Sequence, residues 1–263
     1  MAIDIYQVDA FTEKPFGGNP AAVCILPGPA DPEWMQKVAR DMNVSETAFL
    51  YEDKNGYDLR WFTPAVEVEI CGHATLASAH ILWEEGRAGR DEGIEFYTLS
   101  GVLTASIDGG SISLDFPSEP EHETDAPPGL TGSLGVKPVY VGRNRFDYLV
   151  EVGTAEEVRA LRPDFALLGT IPVRGVMVTS VSDMPGYDFV CRFFGPASGI
   201  NEDPATGSAC CCLGPYWEKK LGKSEFLAYQ ASGRGGVIGV RVKGERVILK
   251  GKAVTVFKGV MCV

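Results

Sequence analysis

The residues best suited to chemistry lie in two stretches 132 positions apart, 60–77 (RWFTPAVEVEICGHATLA) and 192–209 (RFFGPASGINEDPATGSA). Aligned without gaps, they share Arg, Phe, Pro, Ala and a final Ala at five of 18 positions. Each reads as an aromatic strand, a Pro-anchored loop and a run of small residues that opens a helix. The helix starts are Cys71-Gly72-His73-Ala74-Thr75 and Asp203-Pro204-Ala205-Thr206-Gly207-Ser208, and the ungapped register sets Cys71 against Asp203. Unsatisfied N–H groups and the helix dipole at such starts favour an anion such as a carboxylate. Gly and Ser there also serve as plain turn and capping residues, but two copies in matching places favour the ligand reading. A duplicated chain is expected to form two lobes with the ligand in the cleft between them.

Around these starts stand the groups able to move a proton. Glu46, in Asn43-Val44-Ser45-Glu46-Thr47-Ala48-Phe49, reads either as a solvated strand-end acid or as a general acid/base whose pKa partial burial raises. His73, one of three histidines, could donate to a carboxylate or relay a proton. Asp203 could act with them, or simply cap the helix through Thr206. Cys71 reads either as a thiol activated by a helix N-terminus or as inert packing. His80 is expected in the core or an interface, and His122 in an exposed acidic segment. Cys210, Cys211 and Cys212 are expected to pack inside a helix, and no Cys/His spacing suggests a metal site. The chain lacks a P-loop, a dinucleotide-binding Gly-x-Gly-x-x-Gly and a Gly-x-Ser-x-Gly elbow. Gly233-Arg234-Gly235-Gly236 reads as a turn with scope for an anion contact.

The elements that position these groups follow from periodicity. Strands are expected at 3–11, 21–26, 47–51, 57–62, 94–99, 102–107 and 111–116. Asp31-Pro32 starts a helix carrying Met35, Val38, Ala39 and Met42 on one face. A second helix, about 73–85, is apolar nearly all round and so should be buried. Residues 117–128 (PSEPEHETDAPP) read as a linker with almost nothing to bury. The order then repeats: strands near 138–152, helices near 154–168, strands at 173–181 and 188–194, a small-residue helix at 206–220, and closing strands. The expectation is an α+β fold of two pseudo-symmetric lobes, each a mainly antiparallel barrel wrapped around one central helix, without βαβ alternation. The lobes are assigned to 1–116 and 117–263, with the last strand near 253–263 free to return to the first.

Composition narrows the function class. Twenty-four basic against 35 acidic residues give a formal charge of −11, which argues against nucleic acid and against an anionic membrane surface. Seven cysteines without regular spacing suggest a reducing cytoplasm rather than a disulfide framework. The N-terminal residues do not read as a signal peptide, and no run approaches the roughly 20 apolar residues that span a bilayer. The expected location is cytoplasmic.

Five ordered motifs carry a resemblance. They are Asp9-Ala10-Phe11 with Gly18-Asn19-Pro20-Ala21-Ala22-Val23; Ser45-Glu46-Thr47-Ala48-Phe49; Phe62-Thr63-Pro64 with Gly72-His73-Ala74-Thr75; Glu202-Asp203-Pro204-Ala205-Thr206-Gly207-Ser208-Ala209; and Gln230 with the Gly233–Gly236 segment. Together they resemble the PhzF-type phenazine-biosynthesis isomerase family over nearly the whole chain. The resemblance implies the diaminopimelate-epimerase-like fold, with Glu46 as the proton-transferring residue beside His73 and Asp203. It also implies that Asn19, Gly72, Gly207 and Ser208 hold the substrate. Related racemases use two cysteines, whereas here Asp203 stands opposite Cys71 in the ungapped register. The expected activity is therefore a proton shift between carbons of a small anionic substrate, without metal or organic cofactor, in a homodimer. The alternatives are a non-catalytic carboxylate binder of the same fold and a Cys71-dependent racemase or epimerase.

Overall fold

Short apolar and β-branched runs separated by turn residues form eighteen strands and six α-helices among the described residues, a mixed α and β fold. The computed structural model describes residues 2–53 and 55–262. The chain divides into two compact units, 1–116 with 249–263, and 117–248. The second unit thus ends at 248 rather than at 263, because the last strand pairs with the first. No helix among the described residues is long and apolar enough to cross a membrane.

The first unit contains β1 (Ala2–Ala10), β2 (Asn19–Ile25), α1 (Pro32–Met42), β3 (Glu46–Asp53), β4 (Gly56–Phe62), β5 (Glu67–Val68) and α2 (Gly72–Glu84). It continues through β6 (Ile94–Thr98), β7 (Gly101–Asp108) and β8 (Ser111–Pro117), and it includes the C-terminal β18 (Ala253–Cys262). β1 lies antiparallel to both β18 and β2. Next, β2 runs parallel to β3, β3 antiparallel to β4, and β4 parallel to β6, which leads antiparallel into β7 and β8. The absence of βαβ alternation expected from sequence is therefore corrected. Parallel neighbours need a long crossover, and α1 and α2 supply it between β2 and β3 and between β4 and β6. Hairpins between these crossovers obscure the alternation in the sequence.

Helix α1 begins as its sequence dictates. Asp31 accepts from Glu33 N, Pro32 takes the first helical position, and Asn43 ends the helix in the left-handed region at φ 50°. Its face of Met35, Val38 and Ala39 packs on Cys24, Phe49 and Phe62. Helix α2 has no polar face, and Gly72 to Ala79 with Ile81, Leu82 and Trp83 are all buried. Fully burying a side chain such as Leu76 or Ile81 contributes roughly 1.5–3 kcal/mol. That burial holds the N-terminus of α2 in place.

The second unit repeats this order. It contains β9 (His122–Glu123), α3 (Leu130–Leu134), β10 (Tyr140–Arg143), β11 (Asp147–Glu151), α4 (Ala155–Ala160), α5 (Phe165–Leu168), β12 (Gly175–Val181) and β13 (Phe189–Gly195). A 3-10 turn (Pro196–Ser198), β14 (Ile200–Asp203), α6 (Gly207–Leu221), β15 (Glu225–Gln230) and β16 (Gly236–Lys243) follow, and β17 (Arg246–Gly251) carries the chain across the boundary at 248. Pairing runs β9, β10, β11, then parallel to β12, antiparallel to β13, parallel to β15, antiparallel to β16. The alternation of parallel and antiparallel neighbours is that of the first unit, with β10 to β13 standing for β1 to β4. The helices expected near 154–168 are two short ones, separated where Pro163 disfavours helical geometry at the residue before it. α6 repeats α2, with Ala209 to Trp217 buried throughout.

The expected linker at 117–128 is instead fastened to the second unit. Ser118 N donates to Glu245 O, Glu119 N to Cys211 O, and Arg145 grips the Glu119 carboxylate with two nitrogens. Glu119 and Glu121 serve as ion-pair partners of Arg145 and Lys219, which a count of apolar residues does not reveal.

Candidate active site: the starts of α2 and α6

Glu46 opens β3, opposite Ala21 of the parallel neighbour β2. His73 is the second residue of α2, and its Nε2 lies 2.9 Å from Glu46 Oε2. Both atoms are shielded from solvent, and neither has a partner in full hydrogen-bond geometry. Their approach is thus an ion-pair distance outside good hydrogen-bond angles. The side chains are 4% and 12% exposed for His73 and Glu46, so Glu46 is not a solvated strand-end acid. The other ring nitrogen, Nδ1, has two neighbours: Asn19 Nδ2 at 3.1 Å and Cys71 Sγ at 3.6 Å. With the amide nitrogen on Nδ1, the ring proton sits on Nε2 and faces Glu46. In the doubly protonated ring, Nδ1–H donates instead to sulfur or, with the amide turned over, to the Asn19 oxygen.

The ionisation of the cluster follows from burial and charge. Burial opposes protonation of His73, but charge on Cys71 and the Glu46 carboxylate favour it, and the balance holds His73 well above the usual imidazole range. Burial, aided by Glu46, pushes the Cys71 thiol up, against the pull of His73. Cys71 therefore remains a thiol near neutral pH, and Glu46 is the charge that matters to His73. The helix N-terminus does not activate Cys71, because desolvation outweighs it.

Donor atoms of Glu46, Cys71 and His73 lie within 4.8 Å of one another. The ring presents Nδ1 to Cys71 and Nε2 to Glu46, an arrangement that can also move a proton.

The second unit builds a different cluster at the matching place. Asp203 is buried and accepts from Thr206 Oγ1 at 2.5 Å. Gln230 Oε1 accepts from Thr206 N at 2.7 Å, while its Nε2 donates to Asp203 O and to Thr206 Oγ1. Ser208 Oγ accepts from Arg174 Nη1 at 3.2 Å, and Arg174 is forked onto the buried Asp147. Burial raises the Asp147 pKa against the pull of Arg174. Gly72 and Gly207 are the first residues of α2 and α6, and neither N-cap, Cys71 or Thr206, caps its helix with a side chain.

This corrects the register of the repeat. The offset is 132 from Arg60 to Phe62 against Arg192 to Phe194, but the N-caps Cys71 and Thr206 are 135 apart. The three extra residues of the second unit fall between the shared Pro-Ala (Pro64-Ala65 and Pro196-Ala197) and the glutamates Glu67 and Glu202. Cys71 is thus equivalent to Thr206, Gly72 to Gly207 and His73 to Ser208, whereas Asp203 matches Val68 of β5 rather than a helix start.

Of the residues predicted from sequence, Glu46, His73, Asn19 and Cys71 form one cluster, with Gly72 between Cys71 and His73. Asp203, Gly207 and Ser208 belong to the second unit's own cluster. Asn19 is fully buried, with its Nδ2 beside His73 Nδ1. His80 Nε2 lies 3.0 Å from Thr255 Oγ1, and His122 is exposed. Cys210 to Cys212 are buried, and burial pushes the Cys211 thiol up to about 12. Sequence reasoning missed Arg174 and Asp147. Pairing each strand with its repeat would have found Arg174, which precedes β12 as Ser45 precedes β3.

Known proteins match this chain in sequence and fold over nearly its whole length. The family model described as phenazine biosynthesis-like protein, PhzC-PhzF, matches residues 8–259. An uncharacterized isomerase of Halalkalibacterium halodurans is 58% identical, covering 98% of each chain. A crystal structure of a PhzF-family phenazine biosynthesis protein from Enterococcus faecalis superimposes with a TM-score of 0.94 at 39% identity, covering 100% of both chains. A probable proline racemase from Agrobacterium radiobacter, at 14% identity and a TM-score of 0.69 over 99% of this chain and 93% of that one, shares the fold alone. A match of this extent in both sequence and fold places the chain in the PhzC-PhzF family of phenazine biosynthesis-like proteins.

Proposed function

We propose that the protein is a cofactor-independent isomerase that moves a proton between carbons of a small carboxylate-bearing substrate. The observation that carries this reading is the solvent-shielded approach of Glu46 Oε2 to His73 Nε2 at 2.9 Å, with neither atom hydrogen-bonded elsewhere. Buried polar atoms normally find partners, and a pair left open to a third group is a feature of reacting sites. Related proteins named isomerases support the same class.

In the proposed reaction the Glu46 carboxylate takes a proton from a substrate carbon. The electron pair left behind delocalises into the adjoining unsaturated system. Glu46, or His73 through Nε2, then returns a proton at another carbon, so the atoms of substrate and product are the same. Backbone N–H groups at Gly72-His73 and Gly207-Ser208 offer fixed donors for the substrate carboxylate and for developing negative charge.

The contact of Cys71 Sγ with His73 Nδ1 at 3.6 Å favours a second reading, a racemase in which Cys71 is the acid/base. One experiment separates the two. Cyclic dienes and amino acids bearing carboxylates are screened in D2O for deuterium uptake at carbon, with native protein, Glu46→Gln and Cys71→Ser. Loss of uptake in Glu46→Gln with retention in Cys71→Ser supports the isomerase. The reverse pattern hands the site to the thiol.

A further inference from the structure

Both units contain the same ion-pair fork at the same place. In the first, Arg60 Nε and Nη2 donate to Glu67 Oε1 and Oε2 at 2.7 and 2.8 Å. In the second, Arg192 Nε and Nη2 donate to Glu202 Oε1 and Oε2 at 2.7 and 2.8 Å. Each guanidinium also lies over the Phe two residues on, Arg60 over Phe62 at 5.3 Å and Arg192 over Phe194 at 5.0 Å. Each glutamate stands four residues before the N-cap of the buried helix, Glu67 before Cys71 and Glu202 before Thr206. The three-residue difference between the units falls wholly between Phe and Glu, so the spacing from Glu to helix is the same despite a loop of different length.

The backbone around each fork explains why a side-chain tie is useful there. β5 has only two residues, held by Trp61 against Val68 and Phe62 against Glu67. The pairing of β14 with β13 is irregular, with a register shift between Phe193 and Gly195. A ladder this short sets the height of the segment poorly. A planar guanidinium that takes both carboxylate oxygens defines position and orientation together.

We propose that Arg60 and Glu67, and likewise Arg192 and Glu202, are positioning residues that set the starts of α2 and α6. Through the first fork, the His73 ring is held at its distance from Glu46. Arg192 extends the tie, because its Nη1 also donates to Leu161 O at 2.9 Å, anchoring the second fork to the end of α4. The forks touch neither Glu46 nor His73, so they act through the backbone segment that leads to the helix.

The proposal rests on the reading of Glu46 and His73 as the reacting pair, and its test reads that pair directly without any substrate. Imidazole resonances of nitrogen-15 histidine-labelled protein are titrated, with three histidines to assign. Glu46 and Cys71 are the titratable neighbours of His73. Glu67→Gln removes the fork while nearly preserving shape, and Arg60→Lys keeps the charge but loses the fork. Both are expected to lower the His73 midpoint by roughly half a pH unit or more, with His122 unmoved. Glu202→Gln is expected to leave the His73 midpoint where it was. The pair Arg60→Lys with Glu67→Gln should shift His73 no further than either change alone. An unchanged His73 midpoint in a folded Glu67→Gln or Arg60→Lys protein, with only a lower melting temperature, would overturn the proposal. A Glu46→Gln control that also leaves His73 unmoved would overturn the reading of the pair itself, a different result from failure of the fork.

Discussion

Where the first unit places Glu46 at the head of β3, the second places Gly175 at the head of β12, and where the first has His73 the second has Ser208. The equivalence follows from pairing, since Thr47 lies opposite Phe62 and Val176 opposite Phe194. A side chain at the glycine requires the Phe193 ring to move, because its Cβ would meet that ring at 2.2 Å. The second unit instead brings Arg174 from the residue before, forks it to Asp147 and rests it on Ser208. One scaffold thus carries an acid and an imidazole in one copy, and a part-buried cation held by a buried carboxylate in the other. Duplication supplies two equivalent helix starts, and the side chains at the head of the adjacent strand decide what each can do.

That difference can be tested from both sides. The largest effect is expected at Glu46, where Gln keeps the shape but cannot accept a proton. Deuterium uptake into a turned-over substrate should fall roughly 10²- to 10⁴-fold while substrate binding persists. Near-native uptake would remove Glu46 from the chemistry and with it the asymmetry between the units.

In the second unit the expected loss is of stability. Asp147→Asn leaves Arg174 with half of its fork, and urea unfolding should show a loss of about 2–4 kcal/mol. The figure sits below the cost for a fully buried pair because the Arg174 side chain is 29% exposed. A loss under about 0.5 kcal/mol would mean that the cation does not depend on its carboxylate. Gly175→Ala should cost about 1–3 kcal/mol by the same measurement, because the Phe193 ring must move. If it is neutral, sterics do not explain why the second copy lacks an acid there.

A smaller effect follows from the raised pKa of His73. A group whose folded pKa lies above its unfolded value contributes stability in full below the unfolded pKa and loses it as pH rises through the folded one. The stability gap between native protein and His73→Gln should therefore be widest below about pH 6.5 and narrow at more alkaline pH. Thermal melts across that range check the sign, and a gap that widens with pH contradicts it. Cys71→Ser should have the least effect, less than tenfold on deuterium uptake, because burial keeps the thiol protonated.

Much of this was legible in the chain. The Asp31-Pro32 start of α1, the apolar surround of α2 and the repeat itself all follow from local rules. What failed did so for identifiable physical reasons. The parallel pairs were missed because a crossover is recognised only when its two strands are seen side by side. Residues 117–128 read as a linker because they carry almost nothing to bury, whereas Glu119 and Glu121 find bases elsewhere in the second unit. Arg174 went unnoticed because an isolated arginine before a strand carries no signal until Asp147 and Ser208 close around it.

The sequence by itself determined the elements, the duplication and the residue types available at each helix start, because periodicity, capping and composition act over a few neighbouring positions. Only the tertiary structure decided which of those residues meet. Glu46 and His73 are 27 positions apart, and their 2.9 Å approach depends on how β3 packs against α2. The equivalence of Cys71 with Thr206 rather than Asp203 depends on three extra residues before Glu202 that resemble any loop in the sequence. Desolvation of Cys71 and the charge beside His73 are likewise properties of enclosure, set by which groups share a buried space rather than by their order along the chain.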